Sequence, residues 1–166
     1  MEYITEAQDW RIDISIEQQI LRLFHKNELI ETYRISTAKN GAGERYGSEQ
    51  TPRGWHCIRA KIGKNQPINT VFIKRRPTGE IYTPMLGQQY PGRDWITTRI
   101  LWLSGLEPGK NRLGDVDTMR RKIYIHGSVY EDKLGQPNSH GCIQMNSLDL
   151  IDLFERVPVY TKVFIE

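Results

Sequence analysis

The sequence is short of cysteine, with Cys57 and Cys142 its two copies in 166 residues. That is too few for a disulfide scaffold and is compatible with a reducing compartment. Long apolar runs are missing as well. Ile100-Leu101-Trp102-Leu103 is among the longest, far below the roughly 18 residues that a membrane-spanning helix needs. The opening residues, Met1 to Trp10, lack a basic segment, an apolar segment and a small-residue cleavage site, so they do not read as an export signal. A cytoplasmic protein is expected on this basis, or a periplasmic one if a leader has been removed. Sustained repeats are absent, which excludes collagen-like, coiled-coil and low-complexity classes. Charge of one sign is not in large excess either. A net charge of +3 is small for a nucleic-acid binder, so neither nucleic acid nor membrane is expected as a partner. Two short basic runs, Lys74-Arg75-Arg76 and Arg120-Arg121-Lys122, read as solvated faces or turns.

What is present suits one folded domain. Hydrophobic residues make up 38% and charged residues 26%, enough to bury a core, and the length allows one unit at roughly 100–200 residues per domain. Ile12, Ile14 and Ile16 alternate in the manner of a strand, followed by Ile20–Phe24 and Leu29–Thr37 as the rest of a meander. The stretch Asn40–Gly47, with three glycines, is a loop. It fits no phosphate-binding pattern, because a proline turn at Thr51-Pro52-Arg53-Gly54 follows it where a helix would be needed. Further strands are expected over 55–62, 70–74, 80–83, 95–103, 122–126 and 159–165, with surface loops through 63–95 and a polar loop at 107–121. One helix is convincing. Ser147 is its expected N-cap, Leu148, Ile151 and Phe154 share a face with Leu150 and Leu153 beside them, and Pro158 ends it. Many strands and one helix indicate a mainly β domain.

The chemistry concentrates between Ile123 and Met145. Two of the four histidines and one of the two cysteines fall within it, at His126, His140 and Cys142. A thiol must lose its proton to attack, and a neighbouring imidazole is the usual acceptor. The amides around Cys142, with that of Gly141, are candidates for an oxyanion hole, and Gly141 permits a turn that a Cβ would resist. Blander readings exist for each residue: a buried small hydrophobe for Cys142, a core histidine for His126. A zinc site is disfavoured, since four clear ligands and CxxC or HxxxH spacing are lacking; no metal and no cofactor are expected. Cys57 follows His56 in a strand, where adjacent residues point to opposite faces, and is read as structural.

The pattern His126-Gly127…Ser139-His140-Gly141-Cys142-Ile143 strongly resembles the L,D-transpeptidase catalytic domain, the YkuD-like family of peptidoglycan enzymes. Ser36-Thr37 and Thr51-Pro52-Arg53-Gly54 are similar to further segments of that family. The resemblance implies a single-domain β-sandwich covering residues 1–166, with the nucleophile on a loop before a helix. It implies Cys142 as nucleophile and His126 as general base, with Ser139, His140 and Gly141 shaping the site. Gln144 stands where the family commonly has an arginine, and a neutral amide cannot give the bidentate, always-charged contact of a guanidinium. Gly127, Ser128 and Gln144 are placed beside the substrate. Arg99 is the chosen cation for a substrate carboxylate, Arg53 and Arg93 are weaker candidates, and Trp95, Trp102 and Tyr90 are candidate walls.

The activity implied is attack on the bond between the L-centre of meso-diaminopimelate and a terminal D-alanine, leaving a thioester. Water as acceptor makes an L,D-carboxypeptidase of soluble muropeptides or tetrapeptides in murein recycling, the reading favoured by the apparent lack of a leader. An amine acceptor makes an extracytoplasmic L,D-transpeptidase. A wall-peptide binding module with a vestigial site is a distant third, because both Cys142 and His126 are retained. Nothing in the sequence fixes the oligomeric state.

Overall fold

The structure, a computed structural model, describes residues 2–166. Helix α1 (Glu2–Asp9) leads into a meander of β1 (Trp10–Ser15), β2 (Ile20–His25) and β3 (Glu28–Ser36). The strand alternation read from the sequence sends Ile12, Ile14, Leu21 and Leu23 inward, each at most 1% exposed. After the glycine loop come β4 (Gly54–Ile62), the hairpin of β5 (Thr70–Ile73) and β6 (Arg76–Ile81), the short helix α2 (Pro84–Gln89), and β7 (Ile96–Gly105). The chain closes with β8 (Tyr124–Gly127), β9 (Ile143–Met145), α3 (Ser147–Arg156) and β10 (Lys162–Ile165).

All ten strands form one sheet, ordered β4-β10-β1-β2-β3-β9-β8-β7-β5-β6, and β4 also pairs with β7. That extra pairing turns eight of the strands into a closed ring, so the two layers of the expected sandwich are one continuous hydrogen-bonded surface. The mainly β, single-domain reading holds. Closure removes the free edges that an open sheet would expose, and the β5–β6 hairpin hangs from the ring through β7. Ile58, Leu101, Leu103, Ile125, Ile143, Met145 and Val163 fill the interior with the meander residues. Among the described residues no helix is long and apolar enough to cross a membrane.

Helix α3 seals this core with Leu150, Leu153 and Phe154, and full burial of such a side chain stabilises by about 1.5–3 kcal/mol. Its buried stripe is the series Leu150, Leu153, Phe154, Val157, at the spacing of one helical face. Leu148, expected inside, is 68% exposed, since it lies off that stripe. The N-cap is Asn146, one residue before the expected Ser147; its Oδ1 accepts the N–H groups of Leu148 and Asp149. Three elements depart further from expectation. Thr83 caps α2 by accepting the Leu86 N–H, inside a stretch expected to be loop. Strand β6 covers 76–81 rather than 80–83. The tripeptide Ile143–Met145 is a strand, buried throughout, because β3 and β8 flank it on both sides.

The parallel pair β8–β9 positions the site. Parallel neighbours require a crossover of a dozen or more residues, and residues 128–142 supply it. Ile125 pairs with Ile143 and His126 with Gln144.

Candidate active site

Side chains two apart on a strand share a face. On β8, Ile125 enters the core while Tyr124 and His126 face a cleft; on the β9 side, Ile143 enters the core while Cys142 and Gln144 face the same cleft. By the β8–β9 register Gln144 lies across from His126, while Cys142, the expected nucleophile, precedes β9 beside Tyr124 and shares the cleft with His126, the expected base. The cleft holds about 300 Å³ and is lined by Cys142, His126, Tyr124, Gln144, Ser139 and His140, with residues from three other segments described below.

The loop before β9 is braced by the two upstream segments singled out in the sequence. The Thr37 carbonyl accepts the N–H groups of both Asn138 and Ser139 at 2.9 Å, and Gln19 holds Thr37 by its backbone N–H and its hydroxyl. Thr51, fully buried, donates its hydroxyl to the Gly141 carbonyl at 2.9 Å and accepts the Ala38 N–H. Ser139 Oγ donates to the Cys142 carbonyl and accepts the Gly141 N–H at 3.2 Å. Gly141 has φ +135°, and a Cβ there would come within 3.1 Å of Ile123 Cδ1. The glycine is required by conformation and by space. Its amide, expected to be an oxyanion donor, is instead committed to Ser139, because the hydroxyl that holds the loop sits directly against it.

Cys142 Sγ donates to the Lys122 carbonyl at 3.4 Å and accepts the Tyr124 N–H at 3.3 Å. Burial pushes its thiol up to about 12; the Tyr124 N–H and then Arg121 oppose the rise, while Asp94 adds to it. His126 is 1% exposed. Burial lowers its pKa, opposed by the Gly127 carbonyl and the charge of Asp94. Nδ1 lies 2.9 Å from that carbonyl, which can only accept, so Nδ1 carries the proton and Nε2 is the basic nitrogen. The resting pair is a neutral thiol and a neutral imidazole. Tyr124 N–H and Arg121 are placed to favour the thiolate.

Several expected site residues sit elsewhere. Arg99 is 6% exposed; it donates to the carbonyls of Gln66 and Thr98 and stacks over Phe154. A β-bulge between Thr97 and Ile100, with Thr98 at φ +73°, turns it away from the cleft. Gly127 is a packing position: an added Cβ would meet Thr97 backbone and hydroxyl at 2.8 Å, and its carbonyl orients His126. Ser128 Oγ accepts the Tyr130 N–H within a turn, away from the cleft. Arg53 and Arg93 are paired with Glu44 and Glu80. Trp95 is buried and Tyr90 exposed, neither lining the cleft, whereas Trp102 packs edge-on against Tyr124. Cys57 is buried in β4, as expected for a structural residue.

The residues missed are the cations. Lys74 and Arg75 at the tip of the β5–β6 hairpin, and Arg121 and Lys122 before β8, all line the cleft, with Asp94 as its one carboxylate. The two basic runs read as solvated surface thus converge on the nucleophile. Arg121 is anchored by the Gly43 and Gln50 carbonyls and Ser48 Oγ. Among the described residues no three His, Cys, Asp or Glu side chains are grouped to hold a metal.

Comparison with known proteins places the chain by family and fold. The family model of the L,D-transpeptidase catalytic domain, YkuD, matches residues 9–165. The YkuD protein of Bacillus licheniformis is 27% identical over 156 residues, covering 94% of this chain and 65% of that one. YbiS of Escherichia coli K12 is 31% identical over 107 residues, covering 62% of this chain and 34% of that one. The chain thus spans less than two thirds of the length of either relative. An L,D-transpeptidase from Mycobacterium smegmatis shares the fold, with a TM-score of 0.58 at 16% identity over 95% of this chain and 58% of that one. An LD transpeptidase solved with imipenem has a TM-score of 0.59 at 17% identity, covering 95% and 59%.

Proposed function

The chain belongs to the L,D-transpeptidase catalytic domain family, and from that membership we propose that it is a cysteine-dependent L,D-carboxypeptidase acting on soluble peptidoglycan stem peptides. His126 Nε2 accepts the Cys142 proton as Sγ attacks the carbonyl at the L-centre of diaminopimelate. The proton passes to the D-alanine amine, the C–N bond breaks and D-alanine leaves, with a thioester remaining. His126 then takes a proton from water. The hydroxide adds to the thioester, the C–S bond breaks, and Sγ regains its proton.

The observation that carries hydrolysis over crosslinking is the charge of the cleft, four cations against one carboxylate. A donor stem ends in a carboxylate and is attracted. An acceptor stem must also bring its amino group, an ammonium in solution, among these cations, whereas water carries no charge. Cytoplasmic location belongs to the same proposal and is tested by cell fractionation. Incubation with a soluble tetrapeptide, followed by mass spectrometry, tests the reaction: free D-alanine and tripeptide are expected. Crosslinked dimers as the main product would establish the L,D-transpeptidase reading instead. Since imipenem occupies a protein of the same fold, acylation of Cys142 by a carbapenem is expected as well.

A further inference from the structure

The β5–β6 hairpin turns on two residues, with Ile73 paired to Arg76 across it. The turn residues Lys74 and Arg75 have φ of +50° and +64°. Two-residue turns with both φ positive favour Asn-Gly or Asp-Gly, since a Cβ is strained there. The β2–β3 turn also has a lysine at its first position, Lys26 at φ +49°, but followed by Asn27 and not by a second basic residue; strain of this kind gathers at functional positions. Both residues line the cleft that holds Cys142 and His126.

Arg75 is also pre-arranged. Its Nη1 donates to the Tyr124 hydroxyl at 3.0 Å, and its guanidinium lies 4.7 Å from the centre of the Trp102 ring. Trp102 is itself fixed by its indole N–H on the Met119 carbonyl. One of five guanidinium N–H groups is thus used, and among the described residues no carboxylate is paired with Arg75. A cation held on an aromatic face, with donors to spare and no counter-ion, is a receptor for an anion. The planar fork matches a carboxylate. Gln144, neutral, lies in the same cleft, so the charge missing at that position is supplied by a different strand pair.

We propose that Arg75, with Lys74 beside it, is the specificity-determining residue that receives the terminal carboxylate of the acyl donor. In naming that donor, the inference rests on the function proposed above; the carboxylate receptor itself stands on the geometry alone. The cleft accordingly selects peptides with a free C-terminus over those blocked as amides or extended.

The first arm of the test needs no peptide substrate. Site-resolved alkylation of Cys142 is compared for iodoacetate and iodoacetamide; in each case Sγ displaces iodide from the methylene carbon, the C–S bond forms as C–I breaks, and the thiol proton is lost to solvent. The iodoacetate-to-iodoacetamide rate ratio in the folded protein should exceed that in the urea-unfolded chain. Arg75→Asn, tolerated at positive φ, should lower the folded ratio severalfold, and Lys74→Asn/Arg75→Asn should lower it further. Arg75→Lys should retain part of it. Lys162→Ala, a charge lost far from the cleft, should leave it unchanged. In the second arm, Arg75→Asn should raise KM for a tetrapeptide with a free C-terminus about tenfold, the loss of one charge-assisted interaction. Against the C-terminal amide, wild type and Arg75→Asn should be equal. An unchanged ratio in a folded Arg75→Asn protein, or an equal loss in Lys162→Ala, overturns the proposal. Failure of wild type to cleave any tetrapeptide overturns the proposed function, while the alkylation ratio still decides whether a carboxylate site exists.

Discussion

The backbone N–H of Tyr124 donates to Cys142 Sγ at 3.3 Å across 18 residues of chain. The strand that carries the base thereby also holds the nucleophile, and the pair is assembled by β8–β9 pairing together with the braced loop before β9.

Cys142→Ala should abolish acyl-enzyme formation and leave the fold intact, since the half-buried side chain lies at the cleft, packed only against the margin of the smaller cluster of Phe72, Ile100 and Tyr124. Cys57→Ala, inside β4, should keep turnover and cost about 1 kcal/mol, the common size of a conservative core change. Intact-protein mass spectrometry after carbapenem exposure separates the two. An adduct that survives Cys142→Ala would show the wrong nucleophile.

Gly141→Ala forces a Cβ against Ile123 at a backbone φ of +135°. A loss of about 1–3 kcal/mol is expected for such strain, together with a larger fall in kcat than in substrate affinity, because the residue next to Sγ moves. Urea melts and steady-state kinetics read the two effects independently.

Thr51→Val keeps shape but removes the hydroxyl between Ala38 N–H and the Gly141 carbonyl. Two buried backbone groups are then unsatisfied, costing roughly 2–6 kcal/mol at the usual penalty per group. If chemical denaturation shows no loss, Thr51 does not brace the nucleophile loop.

Activity should persist on the acid side below the ordinary histidine value of 6.5, because burial lowers the pKa of His126 and keeps the imidazole a base there. The rate against pH, taken with a neutral substrate so that carboxylate titration does not intrude, checks this; the limb reports the Cys142–His126 pair together. A limb at or above 6.5 would contradict a buried neutral base.

Stability should follow a second histidine. His56 is fully buried in β4, with Nδ1 on the Gly54 carbonyl and Nε2 beside Thr118 Oγ1, and burial pulls its pKa down from 6.5 to about 4. The unfolded chain binds the proton more readily, so stability is full above pH 6.5 and falls as pH drops towards 4, by roughly 3 kcal/mol. His56→Gln should lessen that slope, as seen in urea midpoints at about pH 7.5 and about pH 4.5.

Much of the centre was legible because it is local. The gap between His126 and Ser139 is the length a parallel crossover demands, and Gly141 marks a turn that needs positive φ. The meander was legible from alternation. What was not legible depends on pairing between distant strands. Nothing in Thr97-Thr98-Arg99 signals a bulge, since threonine does not favour φ of +73°, so Arg99 was read on the wrong face. The basic runs looked like solvated turns because they are turns. Only the attachment of β5 to β7, and of β7 to β8, brings their tips to one cleft. Asn146 displaced Ser147 as N-cap because Ser147 Oγ is engaged with Thr98 Oγ1 at 2.6 Å.

Ring closure has a bearing on solubility. Nine strands have a neighbour on each side, although β3 meets β9 only at Ile35 and Ser36, and the outer side of β6 is an exposed edge of the sheet. That edge reads Arg-Pro-Thr-Gly-Glu-Ile. Pro77 withholds a donor from any incoming strand, and Arg76 and Glu80 put charge where a flat apolar ribbon would invite one. The hairpin that carries the cations over the cleft thus also guards one edge of the sheet against strand-on-strand polymerisation.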